Sequence, residues 1–169
     1  TGCAKISYVT SQSIEQIKLV TSGENIDNLI QSEDTNPRIK ERLQEIKNYK
    51  NFFSQYLKEE VGEIYNKVIF LNREHVSQLV ISSSWSEIKP VEECFIIVGC
   101  FPYLGFFNLS EAKKYHSEML NKGYSSHIRP VDAYSTLGNF NDRVLSSFFH
   151  YSKKGILLLF LFIALKGIE

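Results

Sequence analysis

The chain has 169 residues, enough for one domain with a buried core. Its 19 basic and 19 acidic side chains cancel, so no charge excess draws it to nucleic acid or to an anionic membrane surface. Aromatic residues make up 13% of the chain and cluster after Phe95, a distribution that fits core packing better than a ligand-stacking surface.

From Ser13 to Ile30 the apolar residues Ile14, Ile17, Leu19, Val20, Ile26, Leu29 and Ile30 recur at helical spacing, interrupted at Gly23. Asn36-Pro37 opens a second helix, with Pro37 suited to its first turn, and this helix runs to about Lys58. Its stripe of Ile39, Leu43, Ile46, Phe53 and Leu57 is expected to pack against the first helix. From Ile64 the period changes. Residues 68–71 and 79–81 read as short strands with His75 between them, and the run from Phe95 to Val98 is the best single strand candidate. Ser110 to Asn121 reads as a helix, with Ser110 as its N-cap, Glu111 in its first turn and Gly123 just past its end. Tyr124 to Arg129 reads as a strand that Pro130 should break, and Asn141 to Phe149 as a short helix. No internal repeat is visible. The expected fold class is α+β: a helical N-terminal half packed on a small β-sheet, followed by further helices, in one domain over residues 4–152.

Two linked stretches carry more than periodicity. The first is Val98-Gly99-Cys100-Phe101-Pro102-Tyr103-Leu104-Gly105-Phe106-Phe107. The second is Ala133-Tyr134-Ser135-Thr136-Leu137-Gly138-Asn139-Phe140-Asn141-Asp142-Arg143-Val144-Leu145-Ser146-Ser147-Phe148. Together they resemble a bacterial aminopeptidase family of zinc-metallopeptidase-like proteins, and the resemblance covers nearly the whole chain. Residues 102–107 are similar to the family's Pro-Tyr-x-Gly-Tyr-Phe turn, with Leu104 where Arg commonly stands. Tyr134-Ser135-Thr136-Leu137-Gly138 is intact, while Asn139, Asn141 and Arg143 replace a usual Trp, Asp and Pro. Gly105 and Gly138 each read as marking a turn. Tyr103, Tyr134, Ser135 and Thr136 are the candidates for the edge of a substrate cleft; the alternative is that these hydroxyls are satisfied inside a tight turn.

The resemblance implies zinc-dependent hydrolysis of N-terminal peptide bonds. That chemistry needs an H-E-x-x-H helix, in which two His four apart bind Zn²⁺ and the Glu takes the proton from metal-bound water. Counted without gaps from Tyr151, the His positions fall on Phe162 and Lys166, and the Glu position on Ile163. The chain is therefore expected to hold no catalytic residue, no metal ligand and no cofactor, zinc belonging to the resembled family. The pattern is lost abruptly at Lys153, where a truncation or frameshift is the expected cause. The 10 apolar residues from Ile156 to Leu165 fall short of the roughly 20 that span a bilayer. Residues 153–169 thus form an apolar tail outside the family pattern. The expectation is a truncated or degenerate aminopeptidase, inactive alone; the alternative is a non-catalytic, membrane-anchored domain with a peptide-binding or structural role.

The family also carries cysteines at Cys94 and Cys100, which implies a disulfide. Six steps of extended strand would set their Cα atoms roughly 20 Å apart, against about 4.4 to 6.8 Å in a disulfide. Pairing therefore requires the chain to fold back near Gly99; two buried free thiols are the alternative. Thr1-Gly2-Cys3 is similar to the end of a bacterial lipoprotein signal. Residues 1–3 read as its remnant, with Cys3 lipidated and the domain held at the extracytoplasmic side of the bacterial cell envelope. The expected partners are peptide and, through that anchor, membrane, with no nucleic acid. His75, His116, His127 and His150 show no ligand-like spacing, and His116, beside Lys113 and Lys114, reads as solvated. No motif supports a Cys100–His127 nucleophile pair.

Overall fold

The computed structural model describes residues 2–57, 62–87, 89–95, 99–133 and 141–158, leaving aside the side chains of residues 2–7 and 57. The fold is α+β, with its strands distributed over three small sheets. In chain order the elements are α1 (Gly2–Thr21), β1 (Glu24–Asn25), α2 (Ile26–Gln31), α3 (Pro37–Leu57), β2 (Lys67–Ile69), β3 (Ser77–Ser83), β4 (Glu93–Phe95), β5 (Gly99–Phe101), β6 (Leu104–Phe106), α4 (Leu109–Asn121), β7 (Ser125–Val131) and β8 (Val144–Leu145). A 3₁₀ helix, Ser146–His150, follows β8, and residues 153–158 are helical. None of the helices among the described residues is long and apolar enough to cross a membrane. The chain divides into two compact units, Thr1–Gln16 with His75–Asp132, and Ile17–Glu74 with Ala133–Glu169.

In the first unit, β6, β3 and β7 form an antiparallel sheet with β3 at its centre. Side chains alternate across a strand. Val80 and Ser82 of β3 are accordingly buried while Ile81 between them is exposed. Val80, Leu104, Phe106 and Ala112 make the core, with Tyr8, Phe95, Tyr115 and Ile128 packed against it. Asn108, rather than the expected Ser110, caps α4: its Oδ1 accepts from the Ser110 backbone N–H and from Ser110 Oγ, both at 2.8 Å. The side-chain carbonyl two residues before Ser110 serves because it accepts from the N2 donor. At the other end Gly123, at φ +85°, lets Tyr124 N–H reach the Met119 carbonyl (3.1 Å) and Gly123 N–H the Leu120 carbonyl (2.9 Å).

Pro130 does not break β7. It lies within the strand opposite Gln78, and among the described residues β7 pairs on one side only. An edge strand tolerates a residue without an N–H. On β6, the outer backbone groups are met by side chains of α1. Tyr8 Oη donates to the Gly105 carbonyl (2.7 Å), and Phe107 N–H donates to Gln12 Oε1 (3.0 Å). Tyr8 and Gln12 lie four residues apart, hence on one helical face. Gln12 Nε2 then donates to Glu111 Oε2 at 3.0 Å.

In the second unit, β2 is central between antiparallel β1 and parallel β8, with Val68 opposite Val144 and Ile69 opposite Leu145. The helical pattern stops at Gly23, as its φ of +114° requires. A Cβ there would meet the Val68 carbonyl oxygen at 3.1 Å, so the close approach also selects glycine. Asn25 Oδ1 caps α2 by accepting from Asp27 N–H (2.9 Å) and Asn28 N–H (3.2 Å). Asn36 Oδ1 accepts from Arg38 N–H (2.9 Å), and Pro37 opens α3 as expected. Leu43, Ile46 and Phe53 are buried and α2 packs against α3. Residues 141–149, expected as one helix, instead give β8 and the 3₁₀ turn. Val144 and Leu145 are both buried beside β2, and pairing in the sheet outweighs the helical pattern. Ser146 Oγ then accepts from Leu71 N–H at 2.9 Å.

Candidate functional site

The first signature is mostly packing. Strands β4 and β5 pair antiparallel, with Cys94 opposite Cys100. The two are joined in a disulfide, with an S–S distance of 2.04 Å and Cα atoms 3.9 Å apart. Of the expected strand at 95–98, Phe95 ends β4, and 96–98 lie outside the described residues. In the turn that follows, Tyr103 is 45% exposed while Leu104 and Phe106 are buried. Gly105 does not mark a turn: it is the middle residue of β6, opposite Leu79, and its φ is not positive. Tyr8 stacks on Phe95 (5.6 Å between ring centres) and meets Phe106 edge-on (5.1 Å). Burial pushes the Tyr8 phenol up to about 12, although its hydrogen bond to Gly105 acts in the other direction. Tyr115, whose hydroxyl donates to Glu93 Oε1 at 2.9 Å, is likewise pushed up, first by burial and then by Glu93.

Of the second signature, residues 134–140 lie outside the described residues, and with them Tyr134, Ser135, Thr136 and Gly138. The remainder is architectural. Asp142 is buried and its backbone carbonyl accepts from Tyr65 N–H at 2.8 Å; Tyr65 holds a positive φ of 60°, uncommon for a residue other than glycine. Arg143 Nη2 donates to the Val20 carbonyl at 3.1 Å. Ser147 and Phe148 are buried. Cys3 lies in the first turn of α1.

The histidines take separate roles. His75 Nδ1 lies 2.6 Å from Asp132 Oδ1, beside the bond from Val76 N–H to the Val131 carbonyl (3.0 Å). His116 is not solvated as expected: it is half-buried, 3.0 Å from Ser126 Oγ, which accepts from Ser82 Oγ at 3.0 Å. This places α4 against the sheet through a polar contact that the lysines beside His116 conceal in the sequence. Cys100 is in a disulfide and carries no thiol for a pairing with His127.

A cavity of ligand size lies in the second unit, where the first two turns of α3 meet residues 149–153. It measures about 590 Å³ and is lined by Arg38, Ile39, Glu41, Arg42, Phe149, Ser152 and Lys153. Arg38 and Arg42, four apart, project from one side of α3. Lys153 Nζ pairs with Glu45 (2.5 Å) and Glu41 (3.5 Å), and Arg42 Nη1 with Glu45 Oε2 (3.0 Å). Desolvation would raise the Glu45 carboxyl, but hydrogen bonds from Lys153 and Arg42 outweigh it and hold that group below the usual carboxylate range. Tyr49 Oη donates to the Lys153 carbonyl at 3.2 Å, a second tie between α3 and this segment. The Arg38 guanidinium is exposed and enters no hydrogen bond or ion pair among the described residues. The sequence did offer one signal for this groove, the Arg38–Arg42 spacing, but its other wall is more than a hundred residues away in the chain.

Among the described residues, the candidate zinc donors that come together do not fit the ion. Phe162, Ile163 and Lys166, on which the positions of the resembled zinc motif fall when counted from Tyr151, lie outside the described residues. Among the described residues, a trio of candidate ligands with mutual distances within 4.8 Å is Glu92, Cys94 and Cys100, and its two sulfurs are bonded to each other. Zinc takes thiolates, which a disulfide does not offer.

No curated protein and no solved structure matches the chain. Residues 7–162 match the model of the family described as Putative aminopeptidase, and the chain belongs to that family.

Proposed function

We propose that this chain is an aminopeptidase-family domain that does not hydrolyse peptide bonds by itself. In the family reading, zinc-dependent removal of N-terminal residues depends on an H-E-x-x-H helix. The observation that carries the proposal is that none of His75, His116, His127 and His150 is followed by Glu or lies four residues from another His. Incubation with aminoacyl-p-nitroanilides and added Zn²⁺ is expected to release nitroaniline no faster than buffer. Release that a chelator abolishes would overturn the proposal.

The groove beside Arg38 favours a second reading, that of a non-catalytic domain that binds peptide; Thr1-Gly2-Cys3 adds to this reading a lipid on Cys3 that holds the domain at the bacterial cell envelope. The anchor has its own test. Mass spectrometry of the N-terminal peptide, from protein made in a bacterial host with its natural leader, is expected to find acylated Cys3; a free thiol there would end that part of the reading.

A further inference from the structure

We infer that the groove between the start of α3 and residues 149–153 receives the C-terminal carboxylate of a peptide whose last side chain is apolar, with Arg38 as the group that binds the carboxylate. The inference deepens the peptide-binding reading and rests on it. At about 590 Å³ the groove falls within the roughly 300 to 1,000 Å³ typical of ligand sites. Its walls are of two kinds. Ile39 and Phe149 are apolar and only partly buried. Arg38, Arg42 and Lys153 are cationic; Arg42 is paired with Glu45, and Lys153 with Glu41 and Glu45.

Most of that charge is already spent inside the protein. Lys153 serves Glu41 and Glu45, and Arg42 serves Glu45. One cation is left over, and it is Arg38. Its planar fork of N–H donors matches a carboxylate with two parallel hydrogen bonds. Arg38 also stands in the first turn of α3, where the helix dipole adds positive potential. A peptide amine would instead meet an uncommitted cation, because both nearby acids are already paired. The groove therefore selects the carboxyl end of a peptide, with Phe149 and Ile39 taking the adjacent side chain.

The test is binding of a fluorescein-labelled pentapeptide ending in Phe, as the free acid and as the amide, to the full chain and to Arg38→Ala. The free acid is expected to bind the unaltered chain about tenfold or more tightly than the amide, as loss of a charge-assisted hydrogen bond implies. Arg38→Ala should weaken the acid by a similar factor and leave the amide unchanged, while Arg38→Lys recovers part of the loss. Arg38 is exposed and its side chain makes no hydrogen bond or ion pair among the described residues, so the variant should unfold at nearly the same temperature. Equal affinity for acid and amide overturns the assignment to Arg38 but leaves peptide binding standing. Failure of every peptide, including one with a free N-terminus, overturns both readings. Octanoate binding as tightly as the peptide acid would overturn the choice of peptide as occupant.

Discussion

Residues 102–107 and the groove beside Arg38 use their side chains in opposite directions. In the first, Leu104 and Phe106 point into the core, Gly105 offers its carbonyl to Tyr8, and Tyr103 stays exposed. In the second, an arginine at the surface is left uncommitted while its charged neighbours bind one another. The stretch that makes the family recognisable is largely a packing device, and the stretch suited to meet a ligand carries no signature.

Substitutions should separate the two regions by size and kind of effect. The largest is expected from Phe106→Ala, which removes a buried ring from the core with Val80, Leu104 and Ala112 and should cost about 3 to 5 kcal/mol in urea unfolding. Replacing both Cys94 and Cys100 by Ser frees a short hairpin, and the loop-closure argument gives a loss of about 2 kcal/mol. Tyr8→Phe, which deletes the hydroxyl bonded to Gly105, should cost about 1 kcal/mol. That variant also has a pH signature. Because burial raises the Tyr8 phenol from 10.0 to about 12 in the folded chain, its contribution is complete below pH 10 and is lost as pH rises towards 12. Alkaline unfolding of Tyr8→Phe should be correspondingly flatter, with Tyr65 and Tyr115, both also pushed up by burial, keeping part of the slope. The smallest effect on stability is expected from Arg38→Ala, within about 0.5 kcal/mol in the same urea experiment. A large loss there would erase the contrast between the two regions.

Legibility in the sequence followed the range of the interactions. Asn36-Pro37 at the start of α3, Gly23 at the end of the first helical pattern and Gly123 after α4 are local signals, and the structure uses all three. Pro130 misled because its meaning depends on whether β7 has one neighbour or two. Residues 144–149 misled because Val144 and Leu145 find β2, a strand more than seventy residues earlier. Helix α1 begins well before Ser13, although the residues ahead of Ser13 show little of the apolar periodicity that marks a helix. The groove was the least legible part. Ile39 belongs to the apolar stripe of α3 and yet lines the groove, and nothing local to Arg38 says that Phe149 and Lys153 will stand across from it.

The contact between α1 and β6 has a consequence for how this molecule keeps apart from its own copies. Gly105 O and Phe107 N are outer backbone groups of a strand at the side of its sheet, and Tyr8 and Gln12 occupy them. An unoccupied strand side of this kind is a template for a second chain and a starting point for aggregation. Tyr8 and Gln12 thus stand where a neighbour's strand would otherwise pair, at Gly105 O and Phe107 N.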